Sequence, residues 1–173
     1  MSSMSSAQAS PHSHLHQMLF HASTEEPYRT EGTKDARAVD FARLVSRFEL
    51  LLDGEQAKYA THNFGDVEAL NSPLKGCAIV ISQSWFASAQ ITGQHPFTMI
   101  LEPLDALTFM QVTDVKEGGF QGATPWEGHV VELTFPGQAH SVTLPRSPST
   151  ATNAREFESL YPDLIKALRA PHH

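Results

Sequence analysis

The sequence contains a single cysteine, Cys77, and so it cannot form an internal disulfide bond. Cys77 lies inside the short apolar run 77–81, a setting typical of a small buried hydrophobic residue rather than of a reactive thiol. A chain with one cysteine suits a reducing compartment, where disulfides are rare. The sequence therefore predicts a cytoplasmic protein.

Long apolar runs and a basic leader are also missing. No stretch of about 18 consecutive apolar residues occurs, which argues against a helix that spans a membrane. The N-terminal segment has no Lys or Arg before Arg29, and it lacks the apolar core of a secretory signal. We therefore expect neither a targeting peptide nor insertion into a membrane.

Positive charge is scarce in the middle of the chain, whose formal net charge is -7. Between positions 76 and 145 Lys116 is the one basic residue, against six acidic residues: Glu102, Asp105, Asp114, Glu117, Glu127 and Glu132. Nucleic-acid grooves and anionic membrane surfaces require clustered Lys and Arg. We therefore predict no nucleic-acid partner, and the charge pattern disfavours phosphoinositide binding.

Known motifs of catalysis and metal binding do not occur. The sequence has no Gly-x-Ser-x-Gly elbow, no Walker loop, no His-Glu-x-x-His and no Cys-x-x-Cys. Glu102 and Asp105 flank a proline, where they form either a carboxylate pair or, as is usual at such sites, a turn cap. Four histidines are spread over separate predicted strands and turns: His62, His95, His129 and His140. We predict no catalytic residue, no metal site and no cofactor.

The first 34 residues are polar and contain several histidines. Residues 1–10 consist of Ser, Ala, Gln and Met, which cannot bury a core. The imidazoles of His12, His14, His16 and His21 either bind Zn or Ni loosely or, as we favour, belong to a solvated tail with a short sticky segment that packs on the domain or on a partner. We predict a disordered tail and linker over residues 1–34 and a single domain over residues 35–170.

An amphipathic helix is predicted over residues 35–53. Its apolar residues recur at intervals of three and four: Val39, Phe41, Ala42, Leu44, Val45, Phe48, Leu51 and Leu52. Asp35 is the predicted N-cap, and Gly54 is expected just beyond the C-terminus. The series Arg37, Arg43 and Arg47 is assigned to a solvated face rather than to a phosphate site.

Seven short segments carry strand signals and are separated by turn residues. The predicted strands cover residues 55–63, 76–82, 85–92, 97–101, 107–116, 128–135 and 140–145. The fifth has apolar residues on both faces, so we expect it to be covered on both sides. Pro136 and Gly137 predict the turn of a hairpin formed by the last two strands.

A second amphipathic helix closes the chain and is expected to lay its apolar stripe on a sheet. The stripe consists of Phe157, Leu160, Tyr161, Leu164, Ile165 and Leu168. Asn153 is the predicted N-cap, with Glu156 as its capping-box partner. Pro162 predicts either a kink at Tyr161 and Pro162 or the start of a second short helix.

The glycine-rich segment 117–127 is predicted to be a mobile loop. A phosphate-binding role is rejected, because a strand and not a helix N-terminus follows the glycines. Phe120 and Trp126 either tuck back onto the barrel or act as exposed binding anchors. Together with Trp85, at the start of the third strand, they are the candidate partner-binding residues.

Three motifs resemble the bacterial pleckstrin-homology-like domains and their GRAM relatives. Leu51-Leu52-Asp53-Gly54-Glu55 is similar to the family's Leu-x-x-Gly-Glu before the first strand. The segment 76–82 is similar to its Gly-x-aliphatic-x-aliphatic-Thr second strand, and the segment 102–107 to its entry into a middle strand. The resemblance implies a mainly β fold of the α+β type. It would be a seven-stranded bent antiparallel sandwich or partly open barrel with a C-terminal capping helix, here preceded by an amphipathic helix.

The sequence departs from this family in two places. Trp85 and Phe86 stand where the family usually has an Arg-aliphatic pair, and the loop after the first strand offers Lys75 alongside Asp66 and Glu68. Lipid-binding members use several Lys and Arg there, so the resemblance implies the fold rather than phosphoinositide binding.

The functional hypothesis is a non-catalytic binding or assembly module that acts through protein–protein contacts or self-association. The expected contact surfaces are sheet edges, the loop 118–126 or a helix face. The alternative is a barrel that encloses a small apolar or anionic ligand, either as a carrier or as an enzyme that uses a histidine at its rim.

The low content of Lys and Arg generates a first prediction. Vesicles that contain phosphatidylserine and a phosphoinositide should carry no more of the protein in a flotation assay than vesicles of phosphatidylcholine alone, because no basic cluster offsets the acidic segment 102–132. Flotation that occurs with anionic vesicles and disappears at high salt would contradict this prediction.

Overall fold

The computed structural model describes residues 13–30, 35–65, 72–93, 97–117, 126–146 and 149–171. Three helices and seven strands follow one another along the chain, in an order that the sequence predicts apart from the first helix. The helices are α1 (His14–Phe20), α2 (Ala36–Leu52) and α3 (Ala151–Leu168). The strands are β1 (Tyr59–His62), β2 (Lys75–Ile81), β3 (Trp85–Thr92), β4 (Thr98–Pro103), β5 (Phe109–Glu117), β6 (Trp126–Thr134) and β7 (Val142–Leu144), with a 3-10 turn at Leu104–Ala106.

The strands form two antiparallel sheets. The four-stranded sheet has the order β1-β2-β3-β4, and the three-stranded sheet has the order β5-β6-β7. Each strand pairs with its neighbour in sequence, as short turns favour. The predicted α+β class with antiparallel strands is confirmed, but the strands do not close into a barrel.

Both faces of the four-stranded sheet are buried, and alternate residues divide between two hydrophobic cores. On one face Ala60, Val80 and Ala87 pack with α1 and α2. On the other face Tyr59, Ile81 and Phe86 pack with the three-stranded sheet and α3. The molecule therefore has helices on one side of this sheet, and a second sheet with a helix on the other.

The helix α1 differs from the disordered tail predicted for this segment, whereas residues 21–30 form turns and irregular structure. Leu15 and Leu19, one turn apart, are buried in the core beneath α2. His16 lies between the rings of Phe20, Tyr28 and Phe41, and its Nε2 is 3.2 Å from the Tyr28 hydroxyl. Residues 14–20 thus pack on the domain, which is one of the alternatives considered above for the segment that contains the histidines.

The helix α2 has the predicted caps, and its buried apolar face is narrower than predicted. The carboxylate of Asp35 accepts hydrogen bonds from the backbone N–H groups of Arg37 and Arg29, each at 3.0 Å. The helix ends at Asp53, whose φ of 47° is left-handed, followed by Gly54 at 88°. The buried residues are Phe41, Leu44, Val45, Phe48 and Leu52, whereas Val39 is 52% exposed.

The assignment of Arg37 to a solvated face is wrong. Its side chain is buried, and its Nη2 lies 3.4 Å from the backbone carbonyl oxygens of Phe64 and Gly65, which accept its hydrogen bonds. These carbonyls follow β1, so Arg37 attaches α2 to the end of the four-stranded sheet. Arg43, with a side chain that is 58% exposed beside Asp40, does belong to the solvated face.

The fifth strand is not covered on both sides as predicted. Phe109 is 51% exposed and Val112 is 42% exposed. The pairing of β5 with β6 runs from Phe109 and Thr134 to Glu117 and Trp126, with irregularities after Val112 and after Lys116. β7 pairs only with residues 131–133 of β6, so the far half of the β5–β6 pair lacks a third strand among the described residues.

The closing helix α3 begins three residues earlier than the predicted cap position implies. Thr150 is the N-cap, and its hydroxyl accepts a hydrogen bond from the backbone N–H of Asn153 at 3.2 Å. Asn153 is instead buried inside the helix. The helix continues through Pro162 to Leu168 as one element, so no second helix starts there. Pro162 is on the exposed side, where water can satisfy the carbonyl that loses its helical donor.

The side chain of Asn153 joins α3 to β1. Its Nδ2 donates to the Ala60 carbonyl at 2.6 Å, and its Oδ1 accepts from the Tyr59 hydroxyl at 2.9 Å. Burial raises the pKa of Tyr59, so the phenol keeps its proton and remains a donor. One amide thus satisfies a buried carbonyl and a buried hydroxyl at the junction of both sheets.

We predict that Asn153→Ala lowers the free energy of unfolding by about 2–4 kcal/mol, because two buried polar groups lose their partner at about 1–3 kcal/mol each. Urea unfolding at neutral pH measures this change. Ser159→Ala on the exposed face of the same helix is the control, and it should alter stability by less than about 0.5 kcal/mol. An Asn153→Ala variant as stable as this control would show that the amide bridge contributes nothing.

Candidate functional site

Two of the three predicted partner-binding residues, Trp85 and Trp126, lie in different parts of the fold. Trp85 starts β3 next to Phe86, which stacks on Phe135 just beyond the end of β6. Trp126 starts β6 and pairs with Glu117, so it lies at the other end of this nine-residue strand, about 26 Å away along β6. Phe120 lies outside the described residues.

Trp85 is half-buried and lines a shallow surface groove. The groove lies between the start of β3, the turn at Leu104–Ala106 and the C-terminal half of α3, with a volume of about 380 Å³. Asp105, Asp163 and Lys166 supply charge of both signs, and Asp163 also forms a 2.7 Å ion pair with Lys58. This mixture of exposed charges suits contact with another surface better than it suits catalysis.

The edge strand β5 is a second exposed feature. Among the described residues no strand pairs with its outer edge. Phe109 pairs with Thr134 and Val112 pairs with the buried Val131, so the two exposed apolar side chains point to opposite faces of the sheet. An edge strand with exposed apolar residues is unusual for a protein that acts alone, because it can accept a further strand.

A third feature, the inter-sheet pocket, has a volume of about 230 Å³ and lies at one end of the four-stranded sheet. Its floor is the sheet face that bears Ile79, Ser88 and Ile100. Residues 138–141 of the connection between β6 and β7 cover it in place of a strand, and Arg146, just after β7, also lines it. The pocket thus combines an apolar floor with a few polar groups, as ligand sites commonly do.

A hydrogen-bonded network fixes the covering connection to the sheet. The two carboxylate oxygens of Glu102 accept hydrogen bonds from the Gly137 N–H at 2.6 Å and from the Gln138 amide at 3.0 Å. The same Gln138 amide donates to the Ser88 hydroxyl at 3.2 Å. Gln138 and Ser88 both line the pocket, so its shape is set by bonds between β3, β4 and the β6–β7 turn.

Arg146 is a candidate site residue of this pocket that sequence reasoning missed. Its backbone N–H donates to the Thr61 hydroxyl of β1 at 3.1 Å, which fixes the start of the side chain. Its Nε is buried and has no hydrogen-bond partner among the described residues. In sequence it lies beyond the last strand next to a polar linker, where a lone arginine gives no signal of burial.

The carboxylate pair considered for Glu102 and Asp105 does not form. Glu102 is buried and caps the turn at Gly137, whereas Asp105 is exposed in the 3-10 turn and lines the Trp85 groove. Cys77, predicted to be a small buried hydrophobic residue, is 9% exposed at the floor of the inter-sheet pocket. Neither position assembles a nucleophile with a base.

The histidines also occupy separate environments. His140 is exposed at the rim of the inter-sheet pocket, and His129 stacks on Tyr161 of α3. His62 is fully buried in β1, where its Nδ1 accepts a hydrogen bond from the Phe64 N–H at 3.2 Å. His12 and His95 lie outside the described residues. No two of the described histidines share a site that would support acid–base catalysis.

Burial lowers the pKa of His62 to about 4. The positive charge of Arg37 lowers this pKa further, whereas the backbone of Leu19 raises it. The folded protein therefore keeps the imidazole neutral at pH values where the unfolded chain, with an ordinary value of 6.5, already binds a proton. The contribution of His62 to the free energy of unfolding is therefore fully present above the pKa of the unfolded chain. It is lost as the pH falls from 6.5 towards 4.

We predict that His62 makes the protein about 2 kcal/mol less stable at about pH 5 than at about pH 7.5, by this proton linkage. His62→Asn keeps an acceptor near the position of Nδ1 but cannot titrate, so it should reduce the pH dependence of the free energy of unfolding by that amount. His140→Asn at the exposed rim is the control and should leave the dependence unchanged. Equal pH dependence in all three proteins would contradict the prediction.

Three negative findings complete the description of the site. Among the described residues no group of three or more His, Cys, Asp or Glu side chains is placed to hold a metal ion. None of the described helices has both the length and the apolarity needed to cross a membrane. Comparison of the chain with models of protein families, with curated proteins and with solved structures found no match.

Proposed function

We propose that the protein is a non-catalytic assembly module that works through protein–protein contacts, with β5 as its contact strand. The observation that carries this proposal is the outer edge of β5, which pairs with no strand within the described part of the chain and carries the exposed side chains of Phe109 and Val112. Proteins usually protect such an edge with charge, proline or a covering element. An edge that instead carries apolar residues favours the addition of a strand from another chain.

The pattern of exposure along β5 supports strand addition over contact with one flat face. Thr108, Phe109, Gln111, Val112 and Thr113 are exposed, whereas Met110 packs on the core beside α3. Because Phe109 and Val112 point to opposite faces, a partner that covers both must run along the edge between them. An extended strand does this while it pairs its own backbone with that of β5.

A second copy of this chain is the simplest partner. A strand that pairs antiparallel with its own copy about a two-fold axis brings the same residues together from both chains, so one apolar segment is matched by another. The irregularities after Val112 and after Lys116 limit the regular part of the edge to its first residues. We therefore place the contact at residues 109–112.

The fold and location that accompany this function are part of the proposal. We infer a pleckstrin-homology-like domain, which is supported by the three sequence motifs and by seven antiparallel strands followed by a helix that packs on both sheets. We propose a cytoplasmic location because the chain has a single cysteine. The exposed aromatic edge supplies a contact surface without requiring lipid or nucleic-acid binding.

We predict that the protein self-associates in sedimentation-velocity experiments as its concentration increases, and that Phe109→Lys weakens this association by about tenfold or more. The reason is that burial of a Phe side chain contributes about 1.5–3 kcal/mol, whereas a lysine at an edge strand keeps its charge in water. Chemical denaturation should show that the variant is as stable as the wild type, because Phe109 is exposed.

The matched control is Leu50→Lys, which makes the same kind of change at a residue of α2 that is 79% exposed. Leu50→Lys should associate as the wild type does. A wild-type protein that stays monomeric at high micromolar concentration, or equal effects of both substitutions, would overturn assembly through β5.

A further inference from the structure

We propose that the inter-sheet pocket is a binding site for a small carboxylic acid with an apolar body, and that Arg146 holds its carboxylate. This site is distinct from the β5 edge and does not depend on the proposed assembly. It rests on three features: the apolar floor of the pocket, the presence in its lining of Arg146, whose buried Nε has no hydrogen-bond partner among the described residues, and the sign of the charge in the lining.

The floor of the pocket favours a hydrocarbon body. Ile79 and Val142 are buried and Ile100 is half-buried, and all three line the space between the sheet and the connection 138–141. The Ser88 hydroxyl and the Gln138 amide are already hydrogen-bonded to each other. A ligand that contacts this floor therefore gains from burial of apolar surface, as in most small-molecule sites.

The guanidinium of Arg146 supplies the charged end of the site. A buried polar atom without a partner is costly and uncommon in folded proteins, and here the atom belongs to a charged group. A guanidinium binds a carboxylate through two parallel N–H···O hydrogen bonds in a fixed geometry. The backbone bond from Arg146 to Thr61 holds the residue in place before a ligand arrives, which lowers the entropic cost of binding.

The surrounding charges also favour an anion. Arg146 is the one charged residue among the described lining residues. The carboxylate of Glu102 lies beside the pocket, but both its oxygens are engaged by Gly137 and Gln138. Arg146 is therefore left with no acidic partner of its own within the pocket lining that the structure describes.

The volume limits the size of the ligand. A water molecule occupies about 30 Å³ in the liquid, so about 230 Å³ accommodates a molecule of about eight nonhydrogen atoms. A branched or straight short-chain acid has this size. An inorganic phosphate fits the volume but leaves the apolar floor uncovered, so the lining favours the carboxylic acid.

The test uses 4-methylpentanoate as the probe and its uncharged analogue 4-methylpentanamide as the comparison. In calorimetric titrations of the full chain we expect the acid to bind and the amide to bind at least about tenfold more weakly, because a charge-assisted hydrogen bond is lost. Amide chemical shifts in NMR spectra should change at Cys77, Ser88 and Gln138, which line the pocket.

Two substitutions locate the site. Arg146→Gln should weaken binding of the acid by about tenfold or more while the affinity for the amide stays the same, and Ala139→Phe, at an exposed residue of the pocket lining, should block both probes. Arg169→Gln, at an exposed arginine of the α3 C-terminus, is the control and should bind the acid as the wild type does. Thermal unfolding without probe should show that all three variants fold.

The outcomes decide the proposal. The proposal is supported if the acid binds, if Arg146→Gln weakens this binding, and if Ala139→Phe abolishes it. Equal affinity for the acid and the amide would overturn the role of Arg146, and inorganic phosphate that binds as tightly as the acid would overturn the apolar body. Binding that survives Ala139→Phe, or no detectable binding of the acid at millimolar concentration, would overturn the site itself.

Discussion

The four-stranded sheet is buried on both faces, and most of the structure follows from this constraint. All four residues of β1 are inaccessible to solvent, so polar groups that lie within or against this strand must find partners inside the protein. Asn153 provides them for Tyr59 and Ala60, and His62 meets the need of the Phe64 N–H by staying neutral. These hydrogen bonds hold β1 to α3 and to the segment that follows it, and the features considered for binding lie at the edges and ends of the sheets.

The inter-sheet pocket arises because β7 is short. Its three residues pair with residues 131–133 of β6 and no further, so the three-stranded sheet covers only part of the sheet beneath it. At one end a connection, and not a strand, covers the four-stranded sheet and encloses the inter-sheet pocket. The β5 edge has a different origin, because Val112 pairs with Val131, which itself pairs with Leu144 of β7. Val112 is exposed although a third strand is present, since β5 is the outer strand of this sheet.

The sequence predicts those parts of the fold whose signals are local. Alternation over five or more residues and flanking turn residues locate β3, β4 and β6, and a short polar cap locates the start of α2. Features that depend on distant residues were missed. The carbonyl partners of Arg37 are 27 and 28 residues away, and the groups that bind Asn153 are more than 90 residues away.

The missed helix and the missed pocket have similar physical explanations. α1 has only seven residues and two buried leucines, so its apolar pattern is too short to distinguish a helix from an irregular polar segment. The segment is helical because it packs on β1 and α2. Arg146 acquires its position through a backbone bond to Thr61, 85 residues earlier. Exposure of Phe109 could not be predicted either, since alternation identifies the two faces of a strand but not what covers them.

The contact between Glu102 and Gly137 also limits how this protein can diverge. A Cβ atom at position 137 would lie 2.6 Å from a carboxylate oxygen of Glu102, closer than atoms pack. Substitution of Gly137 therefore requires a shorter or displaced side chain at position 102. That change would also break the hydrogen bond from the Gln138 amide to Glu102. In distant descendants these two positions should change together, and their joint replacement would mark lineages in which the pocket has acquired a different shape.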